Sequence, residues 1–306
     1  MKIDRRKFLT SLSAIGLSGI VGSSEKVFAS KNFSGYPDRF GMLTDFTLCI
    51  GCRFCEEACK EAHNLPPIKE PLEDKSIFDK IRRPDDKFLT VVNRYTNTDN
   101  KEIPVYRKVQ CNHCDEPACV SACLVGALKK TPEGPVIYNE KVCIGCRYCM
   151  IACPFYIPAY EYNDPLSPAI MKCDFCYNIR IKKGGIPACA EICPVEAITF
   201  GKRNQLIKLA RDRIKRHPEK YIDYIYGEHE VGGTSWLYIS GVPFEQLGFD
   251  TSLGTMPYPE LTRGFLSAVP LVLVIWPAFL TGVYHFMKNR KQNTEVNTKK
   301  SEQKES

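Results

Sequence analysis

Cys143-Ile144-Gly145-Cys146-Arg147-Tyr148-Cys149-Met150-Ile151-Ala152-Cys153-Pro154 sets four cysteines at intervals of two, two and three intervening residues. The same intervals occur upstream at Cys49, Cys52, Cys55 and Cys59. Two further groups keep the opening pair and the closing pair but stretch the middle: Cys111, Cys114, Cys119 and Cys123, and Cys173, Cys176, Cys189 and Cys193, the last followed by Pro194. These groups use all 16 cysteines of the 306-residue chain, and all lie between Cys49 and Cys193. Such a density marks either a disulfide scaffold or a metal-loaded protein.

The intervals separate the readings. An even cysteine count in an exported chain is compatible with disulfides. Three cysteines within seven residues are nevertheless poorly placed for bridges, which need a specific Cα separation and orientation. A third cysteine three residues after a CxxC pair over-supplies a zinc site, and a redox CxxC needs one pair only. Three thiolates at positions 0, 3 and 6 of a curled loop can instead grip three corners of a cubane, and Gly51 and Gly145 let the backbone curl closely. The fourth cysteine sits near the start of a helix and faces away, as in the bacterial ferredoxin spacing, where it ligates the other cluster of a pair. The framework predicts four [4Fe–4S] clusters.

Working outward, the segments between groups read as a duplicated ferredoxin unit, an α+β fold. Residues 126–130, a turn at 132–134 and residues 135–138 read as a hairpin, and residues 196–200 as an equivalent strand. Residues 88–95 and 105–109 read as strands of an insertion. Residues 204–216 have helical spacing at Leu206, Ile207, Ala210 and Ile214, and residues 236–239 read as a strand. Arg53, Lys108, Arg147 and Lys172 stand near cysteines, where they could offset the negative charge of thiolate-ligated clusters; each taken singly is expected to be a solvated surface residue. His63, His113, His217, His229 and His285 are scattered, and His113, inside a CxxC loop, is expected to pack against backbone. No catalytic acid, base or nucleophile constellation stands out, and neither a P-loop nor a GxGxxG fingerprint is present.

The formal charge of +7 divides into +3 in the first 29 residues, +3 in residues 288–306 and about +1 between them, which gives no support to nucleic-acid binding. Residues 1–29 read as a signal peptide: Arg5 and Arg6 precede Phe8 and Leu9, a weakly apolar run spans 9–22, and Val27-Phe28-Ala29 offers a cleavage site. The paired arginines resemble the twin-arginine export signal. Residues 264–287 lack charged side chains and, at about 36 Å as a helix, are long enough to span a bilayer. Pro270 and Pro277 are tolerated in such a span. Lys288, Arg290 and Lys291 follow at once, which predicts a cytoplasmic C-terminus and a main body, residues 30–260, on the periplasmic side. Residues 288–306 are read as a polar cytoplasmic tail without regular structure, and His285 as an interfacial residue rather than a heme ligand.

The four-group framework resembles the four-cluster ferredoxin-type electron-transfer subunits of membrane-bound respiratory oxidoreductases, over residues 41–287. Residues 41–49, 143–154 and 226–238 look like the periplasmic nickel–iron hydrogenase accessory iron–sulfur subunit; the last stretch is also similar to the formate dehydrogenase beta subunit. The resemblance implies a duplicated 2[4Fe–4S] ferredoxin-like fold with insertions and one C-terminal transmembrane helix. It implies four ligand sets: Cys49, Cys52, Cys55 with Cys193; Cys173, Cys176, Cys189 with Cys59; Cys111, Cys114, Cys119 with Cys153; and Cys143, Cys146, Cys149 with Cys123. Some relatives lose a cysteine of the third group and hold a three-iron cluster; all four are kept here. Leu124, where proline usually follows, and Lys60 depart from the pattern without removing a ligand.

By the same resemblance the chain is a non-catalytic electron relay in the cytoplasmic membrane. Its expected partners are a catalytic subunit, nickel–iron hydrogenase or a molybdopterin enzyme of formate, sulfur-compound or dimethyl sulfoxide metabolism, and a polytopic quinone-reactive membrane subunit. A signal on this chain itself favours the hydrogenase type. Two other classes compete: a catalytic iron–sulfur enzyme, which would need an open iron site, and a structural zinc protein, which would be colourless rather than brown.

Overall fold

The structure is a computed structural model that describes residues 38–97, 103–164 and 169–302, with side chains described as far as residue 290. The expected signal peptide at 1–29 lies outside the described residues. The chain divides into one compact unit, Phe33–Pro259, and a second that includes Glu260–Ser306.

The spine of the first unit is a three-stranded sheet. Its central strand β1 (Phe40–Asp45) has no counterpart among the sequence expectations. β1 pairs antiparallel with β8 (Ile198–Lys202), Met42 opposite Phe200, and parallel with β9 (Trp236–Ile239), Met42 opposite Trp236. Side chains alternate across the sheet. Leu43, Leu237 and Ile239 point to one face, where α5 (Arg203–Arg216) covers them with Leu206, Ala210 and Ile214. These three α5 residues are spaced by four and so lie on one face of that helix. Met42, Trp236 and Tyr238 point to the other face, into the core that the cysteine groups share. A strand covered on both faces has no polar alternation to betray it.

The remaining elements are short. Strands β2 (Val91–Tyr95) and β3 (Val105–Val109) pair antiparallel along their whole length, and β4 (Leu128–Lys130) pairs with β5 (Val136–Tyr138), as the sequence predicts. β6 (Ala159–Tyr160) and β7 (Ile170–Met171) form a third ribbon. Each cysteine group opens a helix: α1 (Phe54–Ala62), α2 (Ala118–Ser121), α3 (Tyr148–Ala152) and α4 (Ala188–Glu191). In contact these pair as α1 with α4 and α2 with α3, the outer groups together and the inner groups together.

Helix α6 runs from Tyr258 to Glu302 and contains Pro270 and Pro277. Its stretch Tyr258–Arg290 is long and apolar enough to cross a membrane, and its apolar side chains are exposed, Val274 at 71%. Ser267 and Thr281 return their hydroxyls to the Gly264 and Pro277 carbonyls, which keeps polar groups satisfied within the helix. The expectation of an irregular tail from residue 288 is corrected: the helix continues through that segment to Glu302.

Candidate metal centres

The first and third cysteine groups repeat one another in backbone as well as in sequence. Gly51 and Gly145 have φ of 72° and 67°, and Arg53 and Arg147, each one residue before its helix, have φ of 65° and 60°. Two left-handed residues in a CxxCxxC run curl the chain so that its thiols converge. Glycine is required at Gly51 on two counts, since a Cβ there would also lie 2.4 Å from the Tyr106 ring. The second and fourth groups bend instead at His113 (φ 49°) and at Phe175 and Cys176 (67° and 53°).

Three cavities result, each walled by four thiols. Cys49, Cys52, Cys55 and Cys193 border about 410 Å³, with Lys108 and Ile198 among the other walls. Cys59, Cys173, Cys176 and Cys189 border about 300 Å³, with Lys108, His63 and Trp236. Cys111, Cys114, Cys119 and Cys153 border about 350 Å³, with Lys172 and Ile157. Cys123, Cys143 and Cys146 surround Cys149 as its electrostatic neighbours, and Cys146 is exposed. Every predicted cysteine thus falls in one of four foursomes, each joining three thiols of one group to one of its partner group. Cysteines of different foursomes also feel one another's charge, Cys55 with Cys189, Cys173 with Cys111 and Cys119 with Cys149.

The donor set suits a thiolate-held inorganic core. Backbone N–H groups already point at sulfur: Ala127 donates to Cys123 Sγ at 3.1 Å and Phe175 to Cys173 Sγ at 3.4 Å. Burial pushes the Cys49, Cys149 and Cys153 thiols up to about 11 and Cys176 up to about 12. Gathered thiols in such walls keep their protons until a cationic centre displaces them, so loading of the sites releases protons.

Three of the four basic residues near the cysteines are not solvated. Arg53, Lys108 and Lys172 are 1%, 2% and 5% exposed, which corrects the surface reading; Arg147 is exposed as expected. The cause is tertiary. Arg53 turns inward onto buried Glu56, Lys108 reaches under the sheet to Thr90 and Gln110, and Lys172 caps the Val136 and Cys173 carbonyls. Of the departures from the resembling pattern, Lys60 is buried, its Nζ 3.0 Å from the Lys87 carbonyl and over the Phe88 ring, while Leu124 is exposed.

His63, unremarkable in sequence, belongs to the wall of the second cavity. Its Nε2 lies 2.7 Å from Asp174 Oδ1 and its Nδ1 2.8 Å from the Cys59 carbonyl. Burial opposes its charge, but the hydrogen bonds to Asp174 and Cys59 prevail and raise it to about 10. His113 is fully buried; Nδ1 accepts the Val136 N–H at 2.9 Å and the ring meets Phe175 edge-on. Burial, then Lys172, Lys130 and Lys108, keep it neutral, and it has the packing role expected of it.

Paired cysteine foursomes on a duplicated ferredoxin frame define a class, the dicluster iron–sulfur proteins, and the 4Fe-4S dicluster domain matches residues 48–127 and again residues 104–203. The chain is 49% identical to a protein of Nitratidesulfovibrio vulgaris Hildenborough over 292 residues, covering 95% of this chain and 78% of that one. It is 38% identical to the hydrogenase-2 operon protein HybA of Escherichia coli O157:H7 over 274 residues, 80% of this chain and 83% of that one. With a chain of the anaerobic dimethyl sulfoxide reductase of Escherichia coli K12 the identity is 35% over 179 residues, 56% of this chain and 77% of that one. The chain belongs to the ferredoxin-type iron–sulfur electron-transfer subunits of respiratory oxidoreductases, and it carries four [4Fe–4S] clusters.

Proposed function

We propose that the four foursomes are the ligand sets, and that the chain relays single electrons along them between a periplasmic catalytic subunit and a quinone-reactive membrane subunit. Cys49, Cys52, Cys55 and Cys193 hold the first cluster. Cys59, Cys173, Cys176 and Cys189 hold the second, Cys111, Cys114, Cys119 and Cys153 the third, and Cys123, Cys143, Cys146 and Cys149 the fourth. The observation that carries this is the grouping itself, in which each cavity draws its fourth thiol from the partner motif. The clusters, when bound, supply reversible one-electron chemistry. The protein's part is to hold them beside one another, with the thiols of the second set buried and those of the others buried or half-buried, and to leave Cys146 of the fourth at the surface.

The chain is non-catalytic in this reading. The twin-arginine signal supports export of a folded, metal-loaded body, and α6 followed by Lys288, Arg290 and Lys291 supports a cytoplasmic C-terminus. Nickel–iron hydrogenase is the leading catalytic partner, supported by the likeness to a hydrogenase-2 operon protein. The likeness to a dimethyl sulfoxide reductase subunit supports a molybdopterin partner as the second reading. Anaerobic extraction of the native membrane in mild detergent, followed by mass spectrometry of what co-purifies, decides between them. A nickel–iron hydrogenase with a polytopic membrane protein is the expected result; a molybdopterin subunit overturns the hydrogenase assignment.

A further inference from the structure

We infer that Lys108 is the residue that sets the reduction potentials of the first two clusters, as one fixed positive charge shared between them. The inference rests on the ligand sets proposed above. Lys108, on β3, is 2% exposed and lines the first and second cavities both. The cysteines whose charge it feels come from both: Cys55 from the first, and Cys59, Cys173 and Cys189 from the second.

Its position is held from behind. Nζ donates to Thr90 Oγ1 at 2.7 Å and to Gln110 Oε1 at 3.1 Å. Gln110 Nε2 in turn donates to the Tyr238 hydroxyl at 2.6 Å, and that hydroxyl donates to Asn112 Oδ1 at 2.6 Å. The relay runs from the ammonium to β9, so the charge cannot swing away without breaking a buried network. One of the three ammonium N–H groups is left without an oxygen partner among the described residues.

The other buried cations near cysteines differ in a way that matters. Arg53 also lines the first cavity, but Glu56, a carboxylate it shares with Arg82, stands 3.4 Å from its Nε and offsets part of its charge. Lys130, near the third foursome, has Asp115 at 4.0 Å. Lys172 lines only the third cavity and spends its donors on two carbonyls. No carboxylate pairs with Lys108 among the described residues; the Trp236 ring face lies 4.6 Å from its Nζ, and the negative charge it faces is that of the sulfur atoms. Reduction adds one negative charge to a cluster, and a buried unpaired ammonium beside it favours that state in a low-dielectric core. Both potentials are therefore raised, and removing the charge lowers both.

The test is an EPR-monitored redox titration of the full-length, cluster-loaded protein as wild type, Lys108→Met and Lys108→Arg, with iron and acid-labile sulfide counted alongside. In Lys108→Met two of the four midpoints fall by at least tenfold in the reduction equilibrium, about 59 mV for one electron, and the other two move by less than half as much. Lys108→Arg stays within threefold of wild type. Unchanged midpoints at full iron content, or four midpoints falling alike, overturn the inference. Should Lys108→Met lose iron, Lys108→Gln, which keeps a donor toward Thr90, is expected to show the same paired fall, and its failure to do so is equally decisive. Cys59→Ser identifies the second cluster's signal. If the signal it removes is not one of the two that shift, the ligand assignment fails while the charge effect stands.

Discussion

Glu56 Oε1 lies 2.5 Å from Nη2 of Arg82, and the same carboxylate accepts the Val92 N–H at 2.6 Å and faces Arg53 Nε at 3.4 Å. A fully buried carboxylate thus ties α1, which carries Cys55 and Cys59, to the β2–β3 insertion. Glu56→Gln leaves two guanidinium groups without their anion, a loss of about 3–5 kcal/mol for a broken buried pair. The expected readout is a clear fall in the thermal unfolding midpoint of the anaerobic protein. An unchanged midpoint would show that the insertion is held by its apolar contacts alone.

Gly51→Ala meets both a φ of 72° and the Tyr106 ring, whereas Gly126→Ala has a φ of 64° but nothing within 4 Å. The second change carries only the left-handed backbone cost of about 1–2 kcal/mol. The first must also push an aromatic ring out of the loop around the first cavity. Gly51→Ala is expected to lose the iron of one cluster while Gly126→Ala keeps all four, measured as iron per chain. Equal iron in the two variants contradicts the steric argument.

Cys49→Ser and Cys193→Ser stand at opposite ends of the cysteine region yet wall the same cavity. They are expected to disturb one and the same EPR signal, and Cys59→Ser a different one. A pairing by adjacent sequence would instead make Cys49 and Cys59 variants alike.

A chain ending at Pro257 removes α6, the one stretch among the described residues long and apolar enough to cross a membrane. After cell fractionation the shortened protein is expected in the soluble fraction with its iron intact, because the cysteine groups lie wholly in the other compact unit. Persistent membrane association would place the anchor elsewhere, on a partner or on the body itself.

Much of this architecture is legible in the sequence. The cubane chemistry follows from local spacing, because three ligands of a cluster come from one loop and the geometry of that loop is written in consecutive residues. The β4–β5 hairpin and α5 are legible for the same reason: turn residues and a period of four act over a few residues. β1 is not, because Met42, Leu43 and Thr44 are buried on both faces and show no alternation. The helical run beyond Met287 is equally hidden, since polar composition says little about a segment that continues a helix already begun.

By itself the sequence determined the number and kind of metal centres, the duplicated frame and the apolar C-terminal helix, since all are set by interactions between near neighbours. Tertiary structure alone decided which charges stay in water. Arg53, Lys108 and Lys172 read as surface residues because charged side chains usually are. They are buried because the folded chain supplies each with partners: Glu56 for Arg53, the oxygens of Thr90 and Gln110 and the Trp236 ring for Lys108, and the Val136 and Cys173 carbonyls for Lys172. Desolvating an ammonium is tolerated only where such partners and nearby anionic sulfur meet it, and that meeting is a property of the folded chain.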